Sequence, residues 1–125
     1  AKIDMASAQR PTKEIMPMLV FVYDSDKGWL VKNIGNSPSF NVIVASRTFT
    51  GEWYFPVRIP PVAINQEYML HWVGHANVDV LGAIYADAQQ SIYSTVCSYD
   101  NSQIYSGNVM ANWDEKEIKA DWKLK

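Results

Sequence analysis

The sequence predicts an all-β domain, an antiparallel β-sandwich of about seven to eight short strands. Turn-forming clusters of Asp, Asn, Gly, Ser and Pro recur about every ten residues. Between them stand short apolar runs rich in Val, Ile, Tyr, Phe and Trp, the residue types that suit a pleated, half-buried surface. No segment sustains the 3.6-residue apolar period of an amphipathic helix long enough to cover a sheet. A small closed barrel needs the same pattern, and periodicity alone does not choose between the two.

Bulk properties fit one folded domain. The chain has 125 residues, 48% apolar and 19% charged, with a net charge of -2. That is enough apolar material for a proper core. The eleven Lys and Arg are scattered, so there is no basic stripe of the kind that neutralises nucleic-acid phosphates. Cys97 is the only cysteine, which excludes an internal disulfide. A lone Cys in an apolar strand reads as a small core residue. No run approaches the roughly 18 apolar residues that span a bilayer, and no basic-then-apolar leader is visible. The chain opens at Ala1 rather than at methionine, as a processed or trimmed product would.

Residues 1–12 mix small, polar and charged types without a period and read as a linker or a frayed end. Residues 13–125 read as the sandwich. Its first strand lies in the apolar run Ile15, Met18, Leu19, Val20, Phe21, Val22 and Tyr23, and Asp24-Ser25-Asp26-Lys27-Gly28 makes a hairpin turn. A second strand, Trp29 to Ile34, runs into a corner built from Asn33, Gly35, Asn36 and Pro38. Asn can bond the corner's backbone, Gly can reach positive φ, and Pro fixes its own φ. After the corner, Phe40, Val42 and Val44 are expected on one face, with Asn41 on the other. Pro56 cannot donate to a ladder, so Trp53 to Ile59 reads as an edge strand or a strand interrupted by a bulge. Tyr68 to Trp72, Val78 to Asp87, Ile92 to Tyr99 and Ile104 to Met110 continue the series. At the C-terminus, Asn112 and Glu115 resemble a helix cap. The strict alternation of Ile118, Ala120, Trp122 and Leu124 with charged residues favours a strand instead.

The stretch Leu30-Val31-Lys32-Asn33-Ile34-Gly35-Asn36-Ser37-Pro38-Ser39-Phe40-Asn41-Val42-Ile43-Val44 resembles an LxNxGxxPAxNVxV pattern. That pattern belongs to small immunoglobulin-like domains of bacterial envelope or membrane-tethered proteins. Ser39 stands where that family tends to have Ala. Arg10-Pro11 lies upstream of the first strand, where such chains leave a membrane-proximal segment, which residues 1–12 would then be, and Ile59-Pro60-Pro61 precedes a strand ending in Trp72. Tyr85-Ala86-Asp87 followed by Tyr93-Ser94-Thr95 resembles the family's YxD…YxT hairpin. The resemblance covers about Arg10 to Thr95. It implies an immunoglobulin-like sandwich, an extracytoplasmic place in the bacterial envelope, and tethering by a segment outside this sequence. It brings no catalytic residues.

Among candidate sites, His71 and His75 are the only histidines. On a strand they would share a face about 13 Å apart at 3.3 Å per residue, too far for one metal ion without a fold-back at Gly74. Nucleophilic catalysis needs a nucleophile within reach of its base. No G-x-S-x-G is present, and Cys97 is expected mid-strand. Asp24 with Asp26, and Asp114 with Glu115, read as turn acids rather than a glycosidase pair.

The aromatic run Trp53-Tyr54-Phe55 is the sharper signal. Three consecutive aromatics cannot all face inward on an alternating strand, so this run with Arg58 is the expected partner-binding surface. The same row can stack on sugar rings, and a free edge also allows pairing with a second copy. Asn33, Gly35, Pro38, Tyr85 and Tyr93 are expected to be structural, the tyrosines as cross-strand or corner residues. The expectation is a non-catalytic domain without cofactor that binds a protein partner. The alternative is a sandwich that binds carbohydrate or a metal ion.

Overall fold

The computed structural model describes residues 2–5, 15–99 and 101–123. Among these residues ten strands form two sheets: β1 (Lys2–Met5), β2 (Leu19–Asp24), β3 (Gly28–Asn33), β4 (Phe40–Arg47), β5 (Tyr54–Arg58), β6 (Glu67–Met69), β7 (Val80–Ala86), β8 (Ile92–Ser98), β9 (Asn101–Ser106) and β10 (Lys119–Ala120). The larger sheet has the order β1-β9-β8-β7-β4-β5-β10, and the smaller β2-β3-β6. The small sheet packs through β2 against β7, β8 and β9 of the large one, the two-sheet arrangement of a β-sandwich.

The structure adds strands to the expected seven or eight, and the additions sit at the rims. Lys2–Met5, read from its composition as linker, pairs in parallel with β9. Lys119–Ala120 pairs in parallel with β5. The other pairings are antiparallel. Both edges of the large sheet are therefore closed by short segments from near the ends of the chain. Arg10-Pro11 lies outside the described residues.

The core follows the period-two rule. Val42 and Val44 of β4, Leu81, Ala83 and Tyr85 of β7, and Tyr93 and Cys97 of β8 are buried against Leu19, Phe21, Val31 and Leu70. Phe40 does not join Val42 and Val44. Between the Phe40–Ala86 and Ile43–Ile84 pairs β4 carries one extra residue, and Asn41 sits there at φ 51°. That bulge turns Phe40 to the outer face. The strand expected over Tyr68 to Trp72 also stops early, at Met69. Val73 N and Gly74 N both donate to Leu70 O, which curls the chain into a turn.

The corner after β3 is held by one buried side chain. The Asn33 carboxamide accepts from Met18 N (3.2 Å) and Gly35 N (2.9 Å). It donates to Ser37 O (2.9 Å) and Val62 O (3.1 Å). Three separate pieces of chain thus converge on one residue. Gly35 is needed here for a reason other than the expected one. It is not among the positive-φ residues, but a Cβ would stand 2.3 Å from Met16 O and 2.6 Å from Met18 N. Pro38 lacks an N–H and leads directly into Ser39, which exchanges two backbone hydrogen bonds with Val62.

A second polar group ties the sheets together. Leu19 N donates to the Tyr85 hydroxyl (3.3 Å), and Thr95 Oγ1 donates to Leu19 O (2.7 Å). The Tyr85 proton is left to bridge to Thr95 Oγ1 (2.8 Å), closing a ring of three bonds. Phe21 N donates to Ser102 Oγ (3.3 Å). Side chains of the large sheet thereby satisfy backbone groups that β2 does not share with β3.

Asn33→Leu strands the Met18 and Gly35 N–H groups and takes a donor from the Ser37 carbonyl, and should cost about 3 kcal/mol or more. Gly35→Ala forces backbone apart and should cost about 1–3 kcal/mol. Urea unfolding checks both. Unchanged midpoints in both variants would mean that the corner does not hold the sandwich together.

Candidate functional site

The aromatic run at the start of β5 is resolved by a bulge. Between the Val44–Val57 and Ser46–Tyr54 pairs β5 carries one extra residue, and Phe55 lies there at φ 54°. A bulky residue in the left-handed region is costly, about 1–3 kcal/mol, and persists only where its surroundings hold it. Trp53 lies over the outer face of the large sheet, its ring near Gly82, where a Cβ would come within 2.6–2.8 Å of it. The Arg47 guanidinium stands 4.9 Å from the Trp53 ring centroid. Trp53 is thus a packing residue. Tyr54 and Phe55 remain 53% and 42% exposed, side by side.

The expected free edge is only partly free. Lys119 and Ala120 pair with Val57 and Arg58, and that pairing does not reach the exposed Tyr54 and Phe55. Arg58 is committed within the chain as well. Its guanidinium donates two hydrogen bonds to the Glu115 carboxylate, at 2.8 and 3.1 Å. This pair raises the Arg58 pKa and lowers that of Glu115. Of the four residues expected to form the contact surface, the structure presents two, Tyr54 and Phe55.

What covers the rest is a belt over residues 107–123, which the sequence does not advertise. Ser94 Oγ donates to Gly107 O (2.7 Å) and accepts from Val109 N (3.1 Å), fixing the start of the belt to β8. The Met110 methyl reaches Gly82 on β7, Glu115 reaches Arg58, and β10 lies against β5. The expected strand over Ile118 to Leu124 shrinks to two residues between 3₁₀ turns at Glu115–Glu117 and Asp121–Lys123. Trp122 of the alternating set is exposed, so that alternation does not mark a buried face. Leu124 lies outside the described residues.

The belt ends on the small sheet. Asp121 is buried and accepts a hydrogen bond from the Tyr68 hydroxyl, and its other oxygen bonds His71 Nε2. Burial, and then the Asp121 carboxylate, push the Tyr68 hydroxyl up to about 12. The His71 ring also packs edge-on against Trp72. His75 is engaged elsewhere, with Nδ1 2.9 Å from the Tyr23 hydroxyl. The two histidines therefore serve different neighbours. Among the described residues no group of three or more His, Cys, Asp and Glu is placed to hold a metal ion.

Tyr85 and Tyr93 are direct cross-strand partners with stacked rings 5.9 Å apart. The polar side chains of the YxD…YxT stretch pair two by two. Tyr85 meets Thr95, and the Tyr93 hydroxyl donates to Asp87 Oδ2 (2.9 Å). Asp87 Oδ1 accepts from Gln89 N and Ser91 N and so shapes the β7–β8 turn. Burial is the main cause holding both tyrosines up to about 12. Cys97 is buried, and its thiol donates to Tyr99 O at 3.6 Å.

Two hollows open on the outer face of the large sheet. One, of about 580 Å³, lies between the β4–β5 loop and the belt, lined by Arg47, Glu52, Trp53, Met110, Trp113 and Glu117 among others. Two of its charged side chains are engaged within the chain. Arg47 donates to Thr48 O and Phe49 O, and Glu117 accepts from Asp114 N. The other, of about 440 Å³, lies beside the β7–β8 turn, with Phe40, Asn41, Asp87, Gln90 and Ile92 in its lining. Its residues come together through the β4 bulge and the turn. Nothing in their spacing announces either.

The sequence matches no family model, no curated protein and no solved structure.

Tyr68, Tyr85 and Tyr93 have folded-state pKa values raised above the ordinary value of 10 to about 12. Their neutral forms stabilise the fold fully below pH 10, and that contribution is lost as pH rises towards 12. Spectrophotometric titration should show a late phenolate step that coincides with alkaline unfolding. Ionisation of all seven tyrosines near pH 10 with the fold intact would contradict these environments.

Proposed function

We propose that this chain is a non-catalytic interaction domain of a bacterial envelope or membrane-tethered protein, binding a protein partner through the open start of β5 and the adjoining loops. The observation that carries the reading is the pair Tyr54 and Phe55. Two adjacent aromatics stand in solvent on a bulge, at the end of β5 that the pairing with β10 does not reach. A strand end beside exposed rings suits a partner that supplies backbone hydrogen bonds and an apolar side chain together. A second exposed aromatic pair, Phe49 and Tyr99 with ring centroids 5.6 Å apart, belongs to the loop just before β5 and to the β8–β9 turn. The envelope setting rests on the resemblance of the Leu30–Val44 stretch.

The groups with catalytic chemistry have structural tasks that account for them. Asp121, Tyr68 and His71 clasp the belt, and Asp87 with Tyr93 shapes a turn. The separate partners of His71 and His75 favour the protein-binding reading over the metal-binding alternative.

A photoreactive phenylalanine analogue replacing Tyr54 should give a saturable cross-link to one protein in bacterial envelope extract, competed away by the unmodified domain. Phe55→Ser should weaken that capture about tenfold, a loss of about 1.4 kcal/mol, without lowering the melting temperature. Cross-links only between copies of the chain would replace the partner with a homo-oligomer. No cross-link at all would remove this surface as a contact site.

A further inference from the structure

The smaller hollow has the chemistry of a site for a neutral ligand. It is lined by two kinds of group. Phe40 and Ile92 offer apolar surface, Ile92 being 40% exposed although it begins a strand. Asn41 and Gln90 bring carboxamides, both from backbones at positive φ, 51° and 69°. Asn tolerates that region, whereas Gln does so at a cost that Gly would avoid. Five described residues other than glycine have positive φ, and two of them meet at this one hollow. Both residues are exposed, so their carboxamides are open to solvent.

The charges narrow the ligand class. Among the described residues no Lys or Arg lines the hollow, which does not suit a phosphate or a carboxylate. Its one ionisable residue, Asp87, already accepts from Gln89 N, Ser91 N and the Tyr93 hydroxyl, which makes it a poor cation ligand. Each carboxamide supplies one acceptor and two donor hydrogens. A pair of adjacent hydroxyls has the same mixed character. An apolar ring and an aliphatic side chain match the C–H face of a sugar ring, as in sites that surround a ligand with apolar contact and fix it by a few polar groups. The volume of about 440 Å³ falls in the range of small-ligand sites and accommodates a single ring.

We infer that this hollow binds one neutral pyranose unit, with Asn41 and Gln90 bonding its hydroxyls and Phe40 and Ile92 covering its apolar face. The inference stands apart from the β5 surface, which lies towards the opposite end of β4, and either reading survives failure of the other.

The test is an amide NMR titration of the whole chain with methyl glycosides of glucose, galactose, mannose and N-acetylglucosamine. At least one should give saturable shifts confined to residues 40–42 and 86–92, with a Kd of about 1 mM or tighter. Asn41→Gly and Gln90→Gly remove the carboxamides but suit the positive-φ backbone. Each should weaken binding about tenfold or more while the unfolding midpoint stays level or rises. Absence of saturable shifts with all four sugars overturns the inference. So do shifts centred elsewhere, or binding that both glycine variants retain.

Discussion

The buried carboxamide of Asn33 is the constraint from which the rest of the sandwich follows. It is the point where the lead into β2, the corner after β3 and the segment around Val62 all meet, and its four hydrogen bonds leave no polar atom of the side chain idle. A carboxamide is the neutral side chain that can accept twice and donate twice, so no apolar residue and no carboxylate replaces it here. Gly35 belongs to the same constraint, because the backbone at Met16–Met18 reaches its bonds only by passing where a Cβ would stand. With the corner set, β3 and β4 are committed to different sheets. The inner faces then meet in the usual alternating pattern.

The second organising feature is the way in which polar side chains do the work of a missing strand. Strand β2 lies at an edge of the small sheet, yet Leu19 and Phe21 direct their backbone groups to Tyr85, Thr95 and Ser102 of the other sheet. An unpaired buried N–H or C=O costs about 1–3 kcal/mol, so these hydroxyls matter more than their number suggests. They also explain why polar residues sit in the middle of apolar strands. The YxD…YxT stretch is a case in point, since its hydroxyls and carboxylate close on one another and on the turn.

The class of fold was legible in the sequence because alternation and turn residues are local signals. Asn33, Tyr85 and Tyr93, expected to be structural, are all buried and hydrogen-bonded. The rims were not legible. Lys2–Met5 has no strand-like pattern of its own and is extended only because β9 offers it an edge. The alternation from Ile118 onward is a genuine local signal, but a 3₁₀ turn and the clasp of Asp121 by residues some 50 positions earlier override it. Phe40 and Phe55 illustrate the same limit on a smaller scale. One extra residue in a strand swaps the faces, and composition does not show where the extra residue will go. The Trp53-Tyr54-Phe55 run raised the right question, because three adjacent rings do need different surroundings. Only the bulge and the belt decide which ring is packed and which stands in solvent. The hollow beside the β7–β8 turn was invisible for a related reason, since Asn41 and Gln90 are brought together by backbone conformations that neither residue announces.

The belt over residues 107–123 covers an apolar sheet face and an unpaired strand at the same time. Its detachment is therefore not gradual, because losing the Asp121 clasp and the Arg58–Glu115 pair exposes both surfaces together. Gly107, at φ 82° with open space around its Cα, is a natural pivot for that movement. Two copies with detached belts would find in each other the same seats that each had vacated, with no new interface to be designed. Such a reciprocal exchange conserves every contact of the belt and changes only which molecule supplies it. Concentration, rather than sequence, would then decide whether the belt closes on its own chain or on its neighbour.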